Sequence, residues 1–254
     1  MYEDLIDKKV LVTGSSSGIG LEIAKVFAKE NSLVVLNGRN NLKLKKNAKN
    51  IYNSKVINGN VEDPKTAKKI VKKTVKLLNG LDILICNVGS GKSAKPGSEN
   101  YKDWQASFKK NLFSATNMIE ASKKFLIQSK GNIICISSIC GIEYIKGAPI
   151  TYSVAKSALN SYVKMNSKIL GQKGVRINAI APGNIIFKGS TWEKKIKKNK
   201  KKIMKNLNLN VSLKKFGNPK SIADICLFLA SEKSHFVTGS VWIVDGGQVK
   251  QLHY

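Results

Sequence analysis

An alternation constrains this chain more than any other feature. Seven short apolar runs (KKVLVTG, SLVVLNG, KVING, LDILICN, GNIICISS, GVRINAIAPG and SVWIVDGG) are separated by stretches in which apolar residues recur at helical spacing. Runs rich in Val, Ile and Leu, without polar alternation, suit strands buried on both faces. A helix between consecutive strands calls for parallel pairing through right-handed crossovers. The expected fold is α/β: a doubly wound, parallel seven-stranded sheet with helices on both faces, formed by residues 1–254 as one domain. No linker-like stretch or internal repeat divides the chain, and 254 residues can enclose one sizeable core. The predicted helices are GIGLEIAKVFAKE, residues 41–50, a segment with Asp63 as N-cap and Pro64 at its first position, a long one through DWQASFKKNLFSATNMIEASKKFLIQ, residues 151–170, and SIADICLFLAS. Ligands of such sheets bind at the carboxyl ends of strands, beside the reversal in strand order.

Composition narrows the function classes. The formal net charge is +28, from 44 basic and 16 acidic residues, yet only Arg39 and Arg176 are arginines. A surface selected to grip nucleic-acid phosphates should use arginine forks, so lysines spread over every predicted helix read as solvated faces. The start of the chain has no signal-peptide pattern, and no run approaches the roughly 18 apolar residues of a membrane span, which predicts a cytoplasmic protein. Cys86, Cys135, Cys140 and Cys226 lie in apolar patterns without zinc-site spacing and are expected to be buried, reduced thiols. His235 and His253 lack partners at ligand spacing, and no metal is expected.

The stretch ILICNVGSGKSAKPG places Gly-Lys-Ser after an apolar run, as a P-loop does. Six residues before Lys92, however, stands Cys86 rather than glycine, and Pro96-Gly97 punctuate a loop where a helix should open. The triphosphatase reading is set aside on both counts.

Other motifs carry clearer chemistry. The first run ends in TGSSSGIG, where Gly14, Gly18 and Gly20 permit a tight turn, approach of a pyrophosphate to the backbone, and close helix packing. The helix N-terminus that follows offers free N–H groups to an anion. Tyr152 and Lys156 are four residues apart and share a helix face. An ammonium beside a phenol favours the phenolate, which predicts a lowered Tyr152 pKa and acid–base work on a carbonyl or alcohol oxygen. Ser138, at the end of the fifth run, can hydrogen-bond the same oxygen. In VVLNGRN a carboxylate would bind the ribose hydroxyls of NAD; Gly38 stands there instead, followed by Arg39, a fork suited to the 2′-phosphate of NADP.

TGSSSGIG, CNVG, Asn111, Ser138, Tyr152-Ser-Val-Ala-Lys156, Pro182-Gly183 and the ending VTGSVWIVDGG, in this order, resemble the short-chain dehydrogenase/reductase family. The likeness spans about residues 7–247 and is greatest to 3-oxoacyl acyl-carrier-protein reductase-like members. The resemblance implies a Rossmann fold, NADP(H) rather than NAD(H), and hydride exchange with a ketone or secondary alcohol, such as a 3-oxoacyl thioester or keto-sugar. It implies that Asn111 joins Ser138, Tyr152 and Lys156 in catalysis through a water-linked proton path, and that Lys156 also holds the nicotinamide ribose. Cofactor contacts are implied for Gly14, Ser16, Ser17, Gly18, Ile19, Gly20, Arg39, Asn60 and Val61, and for Asn87, Gly89, Pro182, Gly183 and Ile185. Asn60 stands where the family often has Asp, and Ile185-Ile186 occupy the stretch that usually supplies a threonine.

The family's substrate lid corresponds to about residues 184–217. Trp192, Ile196, Ile203 and Leu207 keep helical spacing for an apolar underside, while residues 194–205 hold eight lysines in twelve positions. Such a lid would suit an anionic substrate or acidic carrier. SGKSAKPG becomes the rim of the cleft, where Lys92 reads as solvated, with substrate contact as the alternative. Arg176 is expected to be structural and Asp245-Gly246-Gly247 a turn. Family habit implies a homotetramer, or next a dimer, with the helices carrying Ala106, Phe113, Asn117 and Ala121 and carrying Ala155, Leu159, Tyr162 and Val163 shared between sheet and partner. The competing reading keeps the fold without the chemistry: a non-catalytic dinucleotide-binding regulatory or nucleic-acid-binding protein.

Overall fold

The computed structural model describes residues 2–250, so His253 lies outside the described residues. Strands β1 (Lys9–Val12), β2 (Leu33–Gly38), β3 (Ser54–Asn58), β4 (Ile83–Cys86), β5 (Asn132–Ile136), β6 (Arg176–Pro182) and β7 (Val241–Val244) form one sheet in the order β3-β2-β1-β4-β5-β6-β7. Every pairing is parallel. The helices are α1 (Gly18–Lys29), α2 (Asn41–Ala48), α3 (Pro64–Leu78), α4 (Tyr101–Phe108), α5 (Ser114–Ser129), α6 (Ile150–Gly171), α7 (Thr191–Lys198), α8 (Lys200–Asn210) and α9 (Pro219–Ala230).

The pleat explains why the strand runs do not alternate in polarity. Val10, Val12, Val34, Leu36, Ile83 and Ile85 point into a core completed by Ile23 and Phe27 of α1 and Ile222 and Cys226 of α9. Their neighbours Leu11, Val35, Leu84 and Cys86 enter a second core with Val71 of α3, Met118 of α5 and Leu159 of α6. Residues of the central strands are therefore buried on one face or the other, while the edge strands β3 and β7 are only partly covered. Asp63 caps α3 through a 2.7 Å hydrogen bond from the Thr66 amide, with Pro64 at the first turn.

Local differences from expectation have physical causes. The long helix is interrupted by a π-helical turn, Lys109–Phe113, which separates α4 from α5 and holds Asn111 at its centre. No helix opens after Gly-Lys-Ser; chain without regular secondary structure runs on to α4, which removes the P-loop reading. Arg176 is structural: its guanidinium donates to the Ser231 and Val237 carbonyls and the Ser234 hydroxyl at 3.0–3.2 Å. Asp245 accepts the amides of Gly247, Gln248 and Val249, while Gly246 and Gly247 take φ of 70° and 78°, so this segment is a turn. Among the described residues no helix is long and apolar enough to cross a membrane.

Candidate active site

Strand order reverses between β1 and β4, and the loops leaving these strands are laced together. The Thr13 hydroxyl accepts the Asn87 amide N–H at 3.0 Å, and the Asn87 side chain donates to the carbonyls of Thr13 and Gly14 at 3.0 and 3.2 Å. Gly20 permits this lacing, since a Cβ there would fall on the Asn87 side chain and the Gly14 carbonyl. Gly14 and Gly18 take φ of +63° and +59°, which other residues reach only with strain. Ser17 places no side-chain cap on α1, leaving first-turn amides without that partner.

A cleft of about 900 Å³ runs along these strand ends. Gly14, Ser16, Ser17 and Ile19 line it from the first loop, and Arg39, Asn60 and Val61 from the loops after β2 and β3. Asn87 and Gly89 line it after β4, and Pro182, Gly183 and Ile185 after β6. Ser138, Tyr152 and Lys156 stand together in the wall between them. Gly18, Gly20 and Asn111 are expected site residues that do not line it. Gly20 is consumed by helix packing. Gly18 lies under Phe187, whose ring Cζ would stand 2.6 Å from a Cβ placed there. The Asn111 side chain is turned to structure: it accepts the Ser90 amide at 2.7 Å and donates to the Ser90 and Ser107 carbonyls at 3.1 Å. It braces the loop after β4 from behind.

The electrostatics correct one expectation. Tyr152 is not lowered by its helix neighbour; burial pushes its pKa up to about 12, opposed by the hydrogen bond with Ser138. The reason is where Lys156 points. Its Nζ donates to the Ile136 carbonyl at the end of β5, at 2.7 Å, and burial lowers the ammonium's own pKa to about 8. Only 2 % of Lys156 is exposed, so the charge has little water to stabilise it. Ser138 is oriented by the Cys140 amide, which donates to its oxygen at 3.2 Å and leaves the hydroxyl proton directed elsewhere. Gly89 is needed beside them, because a Cβ would crowd Lys156 Nζ at 3.0 Å and Asn111 Oδ1 at 3.1 Å.

Several wall residues escaped sequence reasoning. Glu62 lines the cleft and stands 3.8 Å from Arg39, the carboxylate 12 % and the guanidinium 67 % exposed. Cys140 is in the wall and half-buried, unlike the fully buried Cys86, Cys135 and Cys226. Phe187, Lys146 and Lys195 also line it, and Lys92 belongs to the wall as well as the rim. Most of these are single side chains in loops, and Lys195 is one lysine among many on α7, so no periodicity marks them. Residues 184–217 leave the sheet through a clasp, in which Ile186 and Gly217 amides donate to the Gly217 and Asn184 carbonyls at 2.9 and 3.0 Å. Of the four residues expected beneath this segment, Trp192 reaches the cleft; Leu207 is buried elsewhere, and Ile196 and Ile203 are half-buried away from the wall. Asn199, at φ −158° and ψ 83°, breaks the segment into two short helices, so one continuous stripe is not kept.

The cleft fits a dinucleotide. Its volume is near the top of the roughly 300–1,000 Å³ range of small-molecule sites. Glycines stand where a Cβ would close the approach to Lys156 and to the first loop. With a serine, a tyrosine and a buried lysine converging at the strand-order reversal, fold and site define a dinucleotide-dependent oxidoreductase of the doubly wound class. Residues 14–248 match the protein family described as enoyl-(acyl carrier protein) reductase. The chain belongs to the short-chain dehydrogenase/reductase family and binds a nicotinamide dinucleotide. It is 32 % identical to the 3-oxoacyl-[acyl-carrier-protein] reductase FabG of Thermotoga maritima, over 95 % of this chain and 98 % of that one. It is 29 % identical to glucose 1-dehydrogenase 2 of Bacillus subtilis, over 97 % and 96 %. The structure of L-sorbose reductase from Gluconobacter frateurii, complexed with NADPH and L-sorbose, superposes with a TM-score of 0.91 at 29 % identity, covering 98 % of this chain and 100 % of that one. These relatives are oxidoreductases by name, and none favours a non-catalytic reading.

Proposed function

We propose that this protein is a cytoplasmic, NADP(H)-dependent oxidoreductase that interconverts a ketone and a secondary alcohol. The convergence of Ser138, Tyr152 and buried Lys156 on one wall of the cleft carries this reading. A bound nicotinamide supplies or accepts the hydride at the substrate carbon. In reduction, the Tyr152 hydroxyl gives its proton to the carbonyl oxygen, and solvent restores it. In oxidation, Tyr152 takes the alcohol's proton. Ser138 hydrogen-bonds the same oxygen, since the Cys140 amide already occupies one of its acceptor positions. Lys156 is held by the Ile136 carbonyl and offers its remaining ammonium protons to the ribose. A part for Asn111 in proton relay runs through its main chain, because its side chain is committed to Ser90 and Ser107; π-turns loosen the helical hydrogen-bond register at such places. A reduction screen of 3-oxoacyl thioesters, keto-sugars and small ketones, with NADPH and NADH in parallel, tests the reading. Absence of turnover with every carbonyl class would count against it.

The NADP(H) preference rests on Gly38 and Arg39. The Arg39–Glu62 pair is long and exposed on the arginine side, so it contributes little and leaves the fork free to engage a phosphate. NADPH is expected to give a higher kcat/KM than NADH, and Arg39→Ala to narrow the gap by on the order of 1–3 kcal/mol. Glu62→Gln should widen it, because a carboxylate beside the phosphate position is removed. Equal kcat/KM with both cofactors in the unmodified protein would sink the assignment.

A homotetramer is the proposed assembly, with a dimer second. In α6, Ala155, Leu159 and Val163 are buried toward the sheet. Ile150, Val154, Met165 and Ile169 remain exposed on the opposite side, as does Phe113 beside α5. This apolar strip suits helix-on-helix contact between subunits. Light scattering at micromolar concentration is expected to give the tetramer mass, and a monomer would refute it.

A further inference from the structure

We infer that the substrate carries an anionic group, a carboxylate or a phosphate, remote from its reacting carbonyl, and that Lys92, Lys146 and Lys195 receive it. The inference rests on the oxidoreductase reading of the cleft. The three lysines come from separate segments, the loop after β4, the loop before α6, and α7, yet all line the cavity that holds Ser138 and Tyr152.

Their distance from the reacting centre is set by contacts. Gly91 lies against the Tyr152 ring, where a Cβ would stand 3.8 Å from its Cε1, so Lys92 leaves the chain just beyond the tyrosine. Ser93 is tied to Thr151 by a 2.7 Å hydroxyl–hydroxyl hydrogen bond, which pins this loop one residue before Tyr152. Lys195 stands 4.6 Å above the Trp192 ring, which is braced by Phe216 at 5.5 Å. Its charge reaches Cys140, two residues past Ser138, where it opposes the upward effect of burial on the thiol.

No described residue of the wall neutralises this group. Among the described residues lining the cleft, Glu62 is the only carboxylate, and it stands beside Arg39. None of the three lysines forms an ion pair with a described carboxylate; Glu193, on the same helix as Lys195, faces Lys197 instead at 3.8 Å. Ile145, Pro149 and Trp192 share the wall with them, giving an apolar path between the reacting carbonyl and the charged end. Cationic groups gathered at the mouth of a partly enclosed cleft raise the local concentration of an anion and bind it by charge-assisted hydrogen bonds. Lysine, a mobile point charge with three donors, accepts either a carboxylate or a phosphate.

The test uses matched pairs with the reduced cofactor: 3-oxohexanoate against its ethyl ester, and fructose 6-phosphate against fructose. At least one anionic member is expected to exceed its neutral partner in kcat/KM by about tenfold or more. The pair that responds distinguishes carboxylate from phosphate. The triple variant Lys92→Gln, Lys146→Gln, Lys195→Gln should raise KM for that anion by about 10–100-fold, leaving kcat and the neutral partner nearly unchanged. Lys69→Gln with Lys73→Gln on α3 should change neither. In parallel, hexanoate and inorganic phosphate are titrated against tryptophan fluorescence of the cofactor-loaded protein, with Trp192 as the reporter. One of them should bind, and the triple variant should bind it about tenfold or more weakly. If no carbonyl compound turns over but this lysine-dependent binding persists, the oxidoreductase reading fails and the anion site stands. Turnover without anionic preference, equal effects of the triple variant on charged and neutral substrates, or absence of binding in the titration would each overturn the inference. Preference for a carrier-bound thioester that depends on Lys198, Lys201 and Lys202 rather than on the three cleft lysines would overturn it in favour of protein docking.

Discussion

Tyr152→Phe is expected to keep the fold and the cofactor affinity while kcat falls by at least about 10²-fold, the usual scale for losing a general acid. The substitution removes one oxygen from a half-buried ring and leaves Lys156 on the Ile136 carbonyl. The pH dependence carries further information. With its pKa pushed up to about 12, Tyr152 is protonated at neutral pH and ready to donate. Carbonyl reduction should therefore be nearly flat from about pH 6 to 8 in its dependence on this group. Alcohol oxidation needs the phenolate, so its rate should climb as pH rises over the same range. The oxidation slope should vanish in the phenylalanine variant along with the activity. Normal turnover of Tyr152→Phe would move the proton donor elsewhere.

Lys156→Met should lose both activity and cofactor affinity, because the ammonium that anchors this wall on the Ile136 carbonyl is also the one offered to the ribose. It should also alter stability in a way that depends on pH. Burial lowers the folded-state pKa of Lys156 from 10.5 to about 8. Below pH 8 both states carry the proton, and the protein bears the whole cost of a buried charge. Between about pH 8 and 10.5 the unfolded chain binds more proton than the folded one, so stability from this group rises with pH. Above that window both states are neutral and this group no longer changes stability with pH. Urea unfolding of the protein without cofactor should show the original gaining on the Met variant by on the order of 1–3 kcal/mol between pH 7 and 9.5. Comparing the two chains cancels the titration of the other lysines, since they are common to both. A constant difference across this range would mean that Lys156 is not desolvated.

Much of the site could be read along the chain because its parts are short-range. The first loop's glycines, the four-residue spacing of Tyr152 and Lys156, and Gly38-Arg39 are each fixed by local backbone geometry at a strand or helix end. Their strand ends were legible as well, since a strand with both faces buried leaves an unbroken apolar run. The Asp245 turn followed for the same reason, since its partners Gly247, Gln248 and Val249 lie within four residues.

The residues that escaped are those whose partners lie far along the chain. Glu62 meets Arg39 from the loop after the neighbouring strand, Phe187 covers Gly18 from the segment after β6, and Lys195 reaches the wall from α7. Asn111 was found by its place in the motif order, but the π-turn and the Ser90 loop decided that its side chain braces rather than lines the cleft. Sequence by itself determined the layered parallel sheet and which residue types stand at the strand-order reversal, because periodicity and turn chemistry are local. Tertiary structure alone decided the charge state around Tyr152. A pKa depends on desolvation and on where a neighbouring ammonium points, and both are set by how α6 packs against the end of β5.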